Sequence, residues 1–353
     1  MRGIKRLTRR EFLKLSVTTV SAIGAGPFLL QMTADRAWGA PIKTNSFRPA
    51  YLDLHERGIL KKRGRELWEV MRKCRLCPRE CGARRLDGER GFCRASRQLE
   101  ISSYHAHFGE ERGLVGKGGS GTIFLTNCSL RCVFCINWRI SQDGEGRPCE
   151  IADMVRMMLA LQKAGCHNIN FVTPTHYVPH ILLAVDQAAA EGLRLPLVYN
   201  TCGWENIEVL KTLDGIMDIY LPDFKYSSGE MAAKYSSEAS TYPERTEASL
   251  LEMHRQVGVA KPSGDGIIRR GLMIRHLVMP NDVGGTGQVI DWIAQNLTKD
   301  TYLNLMAQYR PVYKASQYPD IARRITRKEY HDAVSHAKAA GLTNLDTKGY
   351  SIF

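Results

Sequence analysis

Short apolar segments alternate with amphipathic segments along most of the chain. The apolar segments predict six strands, at residues 122–126, 168–173, 195–201, 218–224, 271–279 and 302–308. The amphipathic segments predict helices at residues 151–165, 179–191, 204–213, 247–257, 287–297 and 327–339. Strands that alternate with helices indicate βα units and a parallel sheet, which right-handed crossovers curl into a full or partial barrel. The pattern therefore predicts an α/β fold with its functional groups at the carboxyl ends of the strands.

Composition agrees with a globular protein and adds a feature at the N-terminus. Of the 353 residues, 44% are hydrophobic and 24% are charged, so the chain can bury a sizeable core without disulfides. Part of the net charge of +13 lies in residues 1–40, which carry seven basic and two acidic side chains. No nucleic-acid-binding motif accompanies this charge. We therefore expect a solvated basic surface and no nucleic-acid partner.

The first forty residues have the pattern of a twin-arginine export signal. Arg9 and Arg10 end a basic stretch, residues 15–34 are uncharged, and small residues at positions 37 and 39 offer a cleavage site near Ala40. The alternative is a permanent membrane-anchoring helix. Export predicts a location in the periplasm or at the outer face of the cytoplasmic membrane, with a cytoplasmic location as the alternative. Beyond the signal we expect no membrane contact, and residues 41–65 are predicted to be a polar linker.

Three cysteines directly follow the first predicted strand. Cys128, Cys132 and Cys135 have the spacing C-x3-C-x2-C, on a loop where a barrel enzyme carries its active site. Cysteine thiolates are the usual protein ligands of iron–sulfur clusters, and three of them can hold three irons of a four-iron cluster. The fourth iron is then open to a substrate or cofactor. A structural zinc site needs four ligands and an odd group is a poor disulfide framework, so these alternatives fit less well.

The motif resembles that of the radical S-adenosylmethionine (SAM) superfamily, in which an aromatic residue, here Phe134, precedes the last cysteine. The resemblance implies a partial, TIM-like (β/α)6 barrel, a [4Fe–4S] cluster held by the three cysteines, and SAM bound at the open iron. It also implies reductive cleavage of SAM to a 5′-deoxyadenosyl radical that abstracts hydrogen. Residues 136–142 are similar to the tail of the motif in pyruvate formate-lyase activating enzymes and their iron–sulfur relatives. The similarity covers residues 74–310.

Later strands end in polar residues that the same resemblance places around SAM. Thr173, Thr175 and His176 follow the second strand, where the family usually has Gly-Gly-Glu for the SAM amine. Backbone carbonyls and Thr175 or His176 would then replace the glutamate. The next three strands end in sequences similar to those of the family, and the residues implied to bind SAM there are Asn200, Asp223, Lys225, Arg275 and His276. Each residue alone fits a structural role, whereas the set together favours a SAM site.

A second group of cysteines precedes the barrel and consists of Cys74, Cys77, Cys81 and Cys93. Four thiolates complete either a closed zinc site or a second [4Fe–4S] cluster, and disulfides are a third alternative in an exported protein. The same family branch is similar here, with a Cys-x-x-Cys-Pro-Arg-x-Cys segment before the barrel. A second cluster would relay electrons, whereas zinc would be structural. The other three cysteines, at positions 149, 166 and 202, are expected to be ordinary thiols, with a reservation for Cys202, which lies at a strand end that faces the predicted site.

These features predict four parts of the chain. They are a signal peptide at 1–40, a linker with the four-cysteine segment at 41–110, a radical SAM core at 111–310 and a helical tail at 311–353. The expected function is a radical SAM enzyme with an unidentified target, which family analogy suggests is a glycine of a protein partner. Such an enzyme needs a reductant protein of the ferredoxin or flavodoxin type. The alternative, suggested by the altered segment 173–176, is a non-enzymatic iron–sulfur protein for electron transfer or metal binding.

Overall fold

A computed structural model describes residues 47–347. The predicted export signal at residues 1–40 and the first residues of the predicted linker lie outside this part of the chain. Within residues 47–347, no helix combines the length and the apolarity that a membrane span requires.

One mixed sheet carries the fold. Its strands in the described residues are β1 (Leu99–His107), β2 (Ser120–Leu125), β3 (Arg147–Cys149), β4 (Ile169–Val172), β5 (Leu197–Thr201), β6 (Ile219–Pro222), β7 (Gly271–Leu277), β8 (Tyr302–Met306) and β9 (Leu345–Asp346). The spatial order is β3-β1-β2-β4-β5-β6-β7-β8-β9. Strands β2 and β4 to β8 run parallel, which confirms the six predicted strands and the α/β class. Because the order does not close on itself, the sheet forms a partial barrel.

Helices connect the parallel strands and cover the outer face of the sheet. In chain order they are α1 (Tyr51–Glu56), α2 (Ile59–Val70), α3 (Arg112–Val115), α4 (Trp138–Ser141), α5 (Ile151–Lys163), α6 (Val178–Ala190), α7 (Ile207–Lys211), α8 (Gly229–Tyr235), α9 (Tyr242–Val257), α10 (Thr286–Asn296) and α11 (Arg327–Ala339). The six predicted helices correspond to α5, α6, α7, α9, α10 and α11. Helix α9 begins five residues earlier than predicted, with Pro243 in its first turn, where a missing N–H costs no hydrogen bond.

The predicted linker is wrong for residues 51–65, because α1 and most of α2 lie there. Helix α2 buries Leu60 and Leu67 on one narrow stripe, and Gly64 lies between them. A Cβ at position 64 would come within 2.9 Å of Leu183 Cδ2, so the glycine lets α2 pack closely against α6. Most other side chains of α2 are charged or exposed, and this surplus of charge hides the apolar stripe in the sequence.

Strands β1, β3 and β9 are absent from the sequence prediction. Strand β1 pairs antiparallel with β2 on one side and with β3 on the other, which extends the sheet beyond the barrel strands. Only the first residues of β1 alternate cleanly between buried and half-buried positions, and its second half is half-buried or exposed throughout. This polar second half gives the strand a weak apolar pattern.

The segment between β1 and β2 closes the amino-terminal end of the barrel. Leu114 of α3 packs among inward-facing apolar side chains of the barrel strands, which are Val198, Ile219, Leu221, Met273 and Tyr302. The amide of Asn168 donates to the Leu114 carbonyl at 2.9 Å, and the amide of Asn304 donates to the Glu111 carboxylate at 2.9 Å. With this end filled, the free space of the barrel lies at the carboxyl ends of the strands.

Candidate active site

The three-cysteine loop follows β2 at the carboxyl end of the barrel. Two of its residues adopt left-handed backbone conformations, Asn127 with φ of 71° and Arg131 with φ of 53°. Asn127 tolerates this conformation well and is held by hydrogen bonds from its side-chain amide to Glu100 at 3.0 Å and to Thr126 at 2.9 Å. The tight loop brings Cys128, Cys132 and Cys135 into the lining of a cavity of about 410 Å³.

Each of the three cysteine sulfurs accepts a hydrogen bond. The backbone N–H of Leu130 donates to Cys128 Sγ at 3.4 Å, and the Ser236 hydroxyl donates to Cys132 Sγ at 3.0 Å. The Ser141 hydroxyl donates to Cys135 Sγ at 3.2 Å. Such donors stabilise thiolate charge and help to set the potential of an iron–sulfur cluster. The donor set therefore fits the cluster that the motif implies.

Burial raises the pKa of the Cys128 thiol to about 11 and that of Cys132 to about 12. These thiols are protonated near neutral pH, so metal binding must release their protons. Among residues 47–347, no three His, Cys, Asp or Glu side chains surround one point closely enough to hold a single metal ion. A four-iron cluster binds each thiolate to a different iron, so its ligands need not converge on one point.

Polar and charged side chains also line the cavity. Asn200, Asp223, Lys225 and Arg275 are among them. Lys225 Nζ lies 2.7 Å from Asp223 Oδ2, and Arg275 Nη1 lies 3.2 Å from Glu110 Oε2. Arg275 also donates to the amide oxygen of Asn200. These side chains present two cations, carboxylates and an amide, and an ion pair of 3.7 Å between Arg275 Nε and Asp223 Oδ1 connects their hydrogen-bonded groups.

Of the residues predicted after the second strand, Thr173 alone lines this cavity. Its backbone is left-handed, with φ of 59°. Thr175 and His176 lie in the turn before α6 and face protein: the Thr175 hydroxyl donates to Glu205 at 2.8 Å, and His176 Nε2 lies 2.7 Å from the Thr126 carbonyl. The prediction that these two side chains contact SAM therefore disagrees with their placement.

His276 is also directed away from the cavity. Its Nδ1 lies 2.6 Å from the Phe224 carbonyl, and its Nε2 lies 2.9 Å from the Thr286 hydroxyl. Both ring nitrogens are occupied, so the imidazole ties the end of β6 to the start of α10. Because side chains alternate along a strand, its neighbour Arg275 faces the barrel interior while His276 faces the helices. The predicted contact of His276 with SAM is corrected accordingly.

Two buried carboxyl groups near the cavity were missed from the sequence. Glu110 belongs to the segment after β1, lines the cavity and has its pKa raised by burial. Glu205 follows β5 and accepts hydrogen bonds from Thr175 and Thr201, which joins the ends of β4 and β5. Burial raises the pKa of Glu205 to about 7. The position of Glu205 just after a predicted strand was the available signal, whereas nothing local marked Glu110.

The four-cysteine group forms two compact turns before β1. The N–H of Cys74 donates to the Ala83 carbonyl at 3.0 Å, and the N–H of Gly91 donates to the Ala95 carbonyl at 3.0 Å. A Cβ at Gly91 would lie 3.3 Å from Cys81 Sγ and 3.6 Å from Cys93 Sγ, so the two turns face each other. None of the ten cysteines, all of which lie in the described residues, is joined in a disulfide.

Comparisons with known proteins found a family profile, a sequence relative and a similar solved structure. Residues 122–253 match the sequence profile of the radical SAM superfamily. An uncharacterized protein from Methanocaldococcus jannaschii is 33% identical over 286 residues, which cover 77% of this chain and 76% of that protein. The crystal structure of a radical SAM methyltransferase from Sphaerobacter thermophilus is similar with a TM-score of 0.45 and 14% identity, over 63% of this chain and 65% of that chain. With its three cysteines at the carboxyl end of a partial barrel, this chain belongs to the radical SAM superfamily.

Proposed function

We propose that this protein is a radical SAM enzyme that abstracts hydrogen from a target molecule. The cluster and SAM together supply reductive cleavage of the sulfonium to methionine and a 5′-deoxyadenosyl radical. The observation that supports the proposal is the cavity itself, which is lined by three thiols that accept hydrogen bonds and by a charged network. This arrangement provides for a metal cluster and for a zwitterionic ligand beside it.

The side chains of the charged network have distinct roles in the proposal. Lys225 and Arg275 provide positive charge for the SAM carboxylate. Asp223 and Asn200 provide acceptors for the ribose hydroxyls and the amine, and the backbone of Thr173 replaces the usual glutamate contact. Because the group is already hydrogen-bonded before a ligand binds, little reorganisation is needed on binding.

Part of the cavity lining is apolar. Its members are Phe124, Leu130, Phe134, Val172, Leu277 and Met306. Phe134 is buried and packs edge-on against Tyr226 and Tyr309. Exclusion of water strengthens electrostatic interactions inside the cavity and suppresses side reactions of a reactive species. The lining therefore suits radical chemistry.

The direct test is anaerobic formation of 5′-deoxyadenosine from SAM by the dithionite-reduced protein. We expect multiple turnovers by the wild type, none by Cys132→Ala, and unchanged activity for Cys166→Ala, which alters a buried cysteine that is not among the cavity residues. A protein that shows an intact cluster spectrum and forms no 5′-deoxyadenosine would contradict the enzymatic proposal.

A non-enzymatic electron-transfer protein is the second candidate. One observation favours it. Thr175 and His176 stand where the family usually has residues that contact SAM, and their side chains face protein instead. The two candidates differ in SAM binding: an enzyme binds SAM at its open iron, so SAM changes the EPR spectrum of the reduced cluster. An unchanged spectrum at millimolar SAM would favour the electron-transfer candidate.

We further propose that the enzyme belongs to the branch related to pyruvate formate-lyase activating enzymes and acts on a protein, with a glycine as the target. The support is the sequence similarity in residues 136–142. Incubation with SAM and fractions of a deuterated lysate tests this, because abstraction transfers deuterium to 5′-deoxyadenosine. Deuterium transfer from the high-mass fraction supports a protein target, whereas transfer from the low-mass fraction alone refutes it.

We also propose that residues 1–40 direct export by the twin-arginine route, supported by Arg9 and Arg10 before an uncharged stretch. Fractionation of cells that express the tagged full chain tests this proposal. We expect a periplasmic or membrane-associated product for the wild type and retention in the cytoplasm when both arginines are changed to lysine. A wild-type product found uncleaved and only in the cytoplasm would refute export.

A further inference from the structure

The four-cysteine segment has the backbone geometry of a metal–thiolate site. Backbone hydrogen bonds fold the segment into tight turns: the N–H of Cys74 donates to the Ala83 carbonyl, the N–H of Gly82 to the Cys74 carbonyl and the N–H of Gly91 to the Ala95 carbonyl, each at 3.0 Å. A Cβ at Gly91 would lie 3.3 Å from Cys81 Sγ and 3.6 Å from Cys93 Sγ, so both sulfurs lie beside the same turn. Cysteine thiolates gathered in this way are the usual ligands of zinc and of iron–sulfur clusters.

A buried arginine supplies an independent observation. Arg85 has no exposed surface, and its guanidinium donates to the carbonyls of Ser96 and His176 at 2.8 Å each. Its Nη1 also points at Cys74 Sγ at 3.8 Å. No carboxylate of residues 47–347 forms an ion pair with it. A buried cation without a counter-charge is costly, and a metal centre with four thiolates is an anion that removes this cost.

A second arginine connects this segment to the loop after β2. Arg79 lies two residues after Cys77, and its guanidinium donates to the carbonyls of Ser129 and Ser236 at 3.1 Å each. The hydroxyl of Ser236 donates in turn to Cys132 Sγ. The Arg79 guanidinium also stacks on Phe92 at 4.1 Å. One side chain therefore spans the distance between the two cysteine groups.

We propose that Cys74, Cys77, Cys81 and Cys93 hold a second [4Fe–4S] cluster that delivers electrons to the cluster at Cys128, Cys132 and Cys135. This inference rests on the proposed function. A low-potential one-electron carrier protein reduces the second cluster, which then passes that electron on and returns to its oxidised state, with no bond made or broken. Cys81 is the exposed member of the group and marks the side on which the carrier docks. The four-cysteine group lies close to the cluster loop, to which Arg79 connects it, and this closeness to a redox centre favours iron over zinc in the group.

Metal analysis of the full chain, purified and reconstituted anaerobically, is the first test. Two clusters give about eight irons and about two unpaired spins per chain after reduction, with spectra broadened by their coupling. About four irons with about one zinc overturns the inference, and so does about four irons alone. This measurement needs no variant, so it decides the question whether or not the altered chains fold.

A double variant of the four-cysteine group then tests electron delivery independently of the SAM site. In Cys81→Ser/Cys93→Ser we expect iron to fall to about half, with the remaining spectrum still changed by SAM. The ratio of 5′-deoxyadenosine formed with reduced flavodoxin to that formed with dithionite should fall about tenfold or more. The matched control is Cys149→Ser, a buried cysteine outside both groups, for which iron and ratio stay at wild-type values. An unchanged ratio in the double variant refutes the relay.

The two proposals fail in different ways. A wild type with about eight irons that forms no 5′-deoxyadenosine with any reductant contradicts the proposed enzyme and leaves the second cluster in place. A wild type that forms 5′-deoxyadenosine with zinc in the four-cysteine segment contradicts the relay and leaves the enzyme in place.

Discussion

Glu205 offers a quantitative test of how the strand ends below the cavity are held. This carboxyl is 1% exposed and accepts hydrogen bonds from the hydroxyls of Thr175 and Thr201. Burial raises its pKa from the usual 4.5 to about 7. The substitution Glu205→Gln keeps the size of the side chain and an oxygen that accepts hydrogen bonds, and it removes the titration.

The sign and the size of the effect of Glu205→Gln on the free energy of unfolding follow from the raised pKa of Glu205. The folded state binds a proton at Glu205 between the two pKa values, whereas the unfolded state has already released it. The proton on Glu205 therefore stabilises the folded state fully below pH 4.5, and this stabilisation is lost as the pH rises through about 7. At 1.36 kcal/mol for each pKa unit, the contribution amounts to about 3 kcal/mol. Since glutamine carries no charge, Glu205→Gln should gain up to this amount relative to wild type over the same range.

Denaturant unfolding of the anaerobic holoprotein at pH 5, 6, 7 and 8 measures this difference. We expect the free energy of unfolding of Glu205→Gln, minus that of wild type, to rise with pH and to level off near pH 8. Glu208→Gln is the matched control, because Glu208 lies on α7 with its side chain 80% exposed, and its difference should stay flat. A flat difference for Glu205→Gln would refute the claim that this buried carboxyl titrates with a raised pKa.

Three further substitutions test the cavity. Cys132→Ala should lose the cluster that binds SAM, seen as lost iron together with lost 5′-deoxyadenosine, and retained activity would contradict the ligand assignment. Ser236→Ala removes a hydrogen bond of about 1 kcal/mol to Cys132 Sγ and should lower the reduction potential of the cluster by about 40 mV. A redox titration measures this shift, and Ser249→Ala on α9 should leave the potential unchanged. Asp223→Asn removes the carboxylate partner of Lys225 and should raise the KM for SAM about tenfold and lower Tm, and an unchanged KM would exclude Asp223 from the SAM site.

Local patterns in the sequence were sufficient for the barrel and for the cluster loop. The six parallel strands and their helices have strong apolar periodicity, which depends only on neighbouring residues. The cysteines at 128, 132 and 135 lie within eight residues, so their spacing alone indicates their chemistry. The resemblance to the radical SAM superfamily singled out Asn200 and Asp223, and both line the cavity at the edge where the parallel strands end.

Other features depend on residues that are distant in the chain. Whether a strand-end side chain faces the cavity or the helices is decided by tertiary packing, which turned Thr175 and His176 toward Glu205 and Thr126. Glu110 reaches the cavity because the segment before β2 closes the barrel, and no local pattern encodes that path.

The same limit applies to the two cysteine groups. The sequence by itself determined that seven cysteines form two groups with metal-ligand spacing, because spacing is a local property. Only the tertiary structure placed Arg79 between them and buried Arg85 beside Cys74, since each contact joins residues whose separation in the chain carries no signal. The spacing of the cysteine motifs therefore indicated their chemistry, whereas the fold decided which residues connect the two cysteine groups.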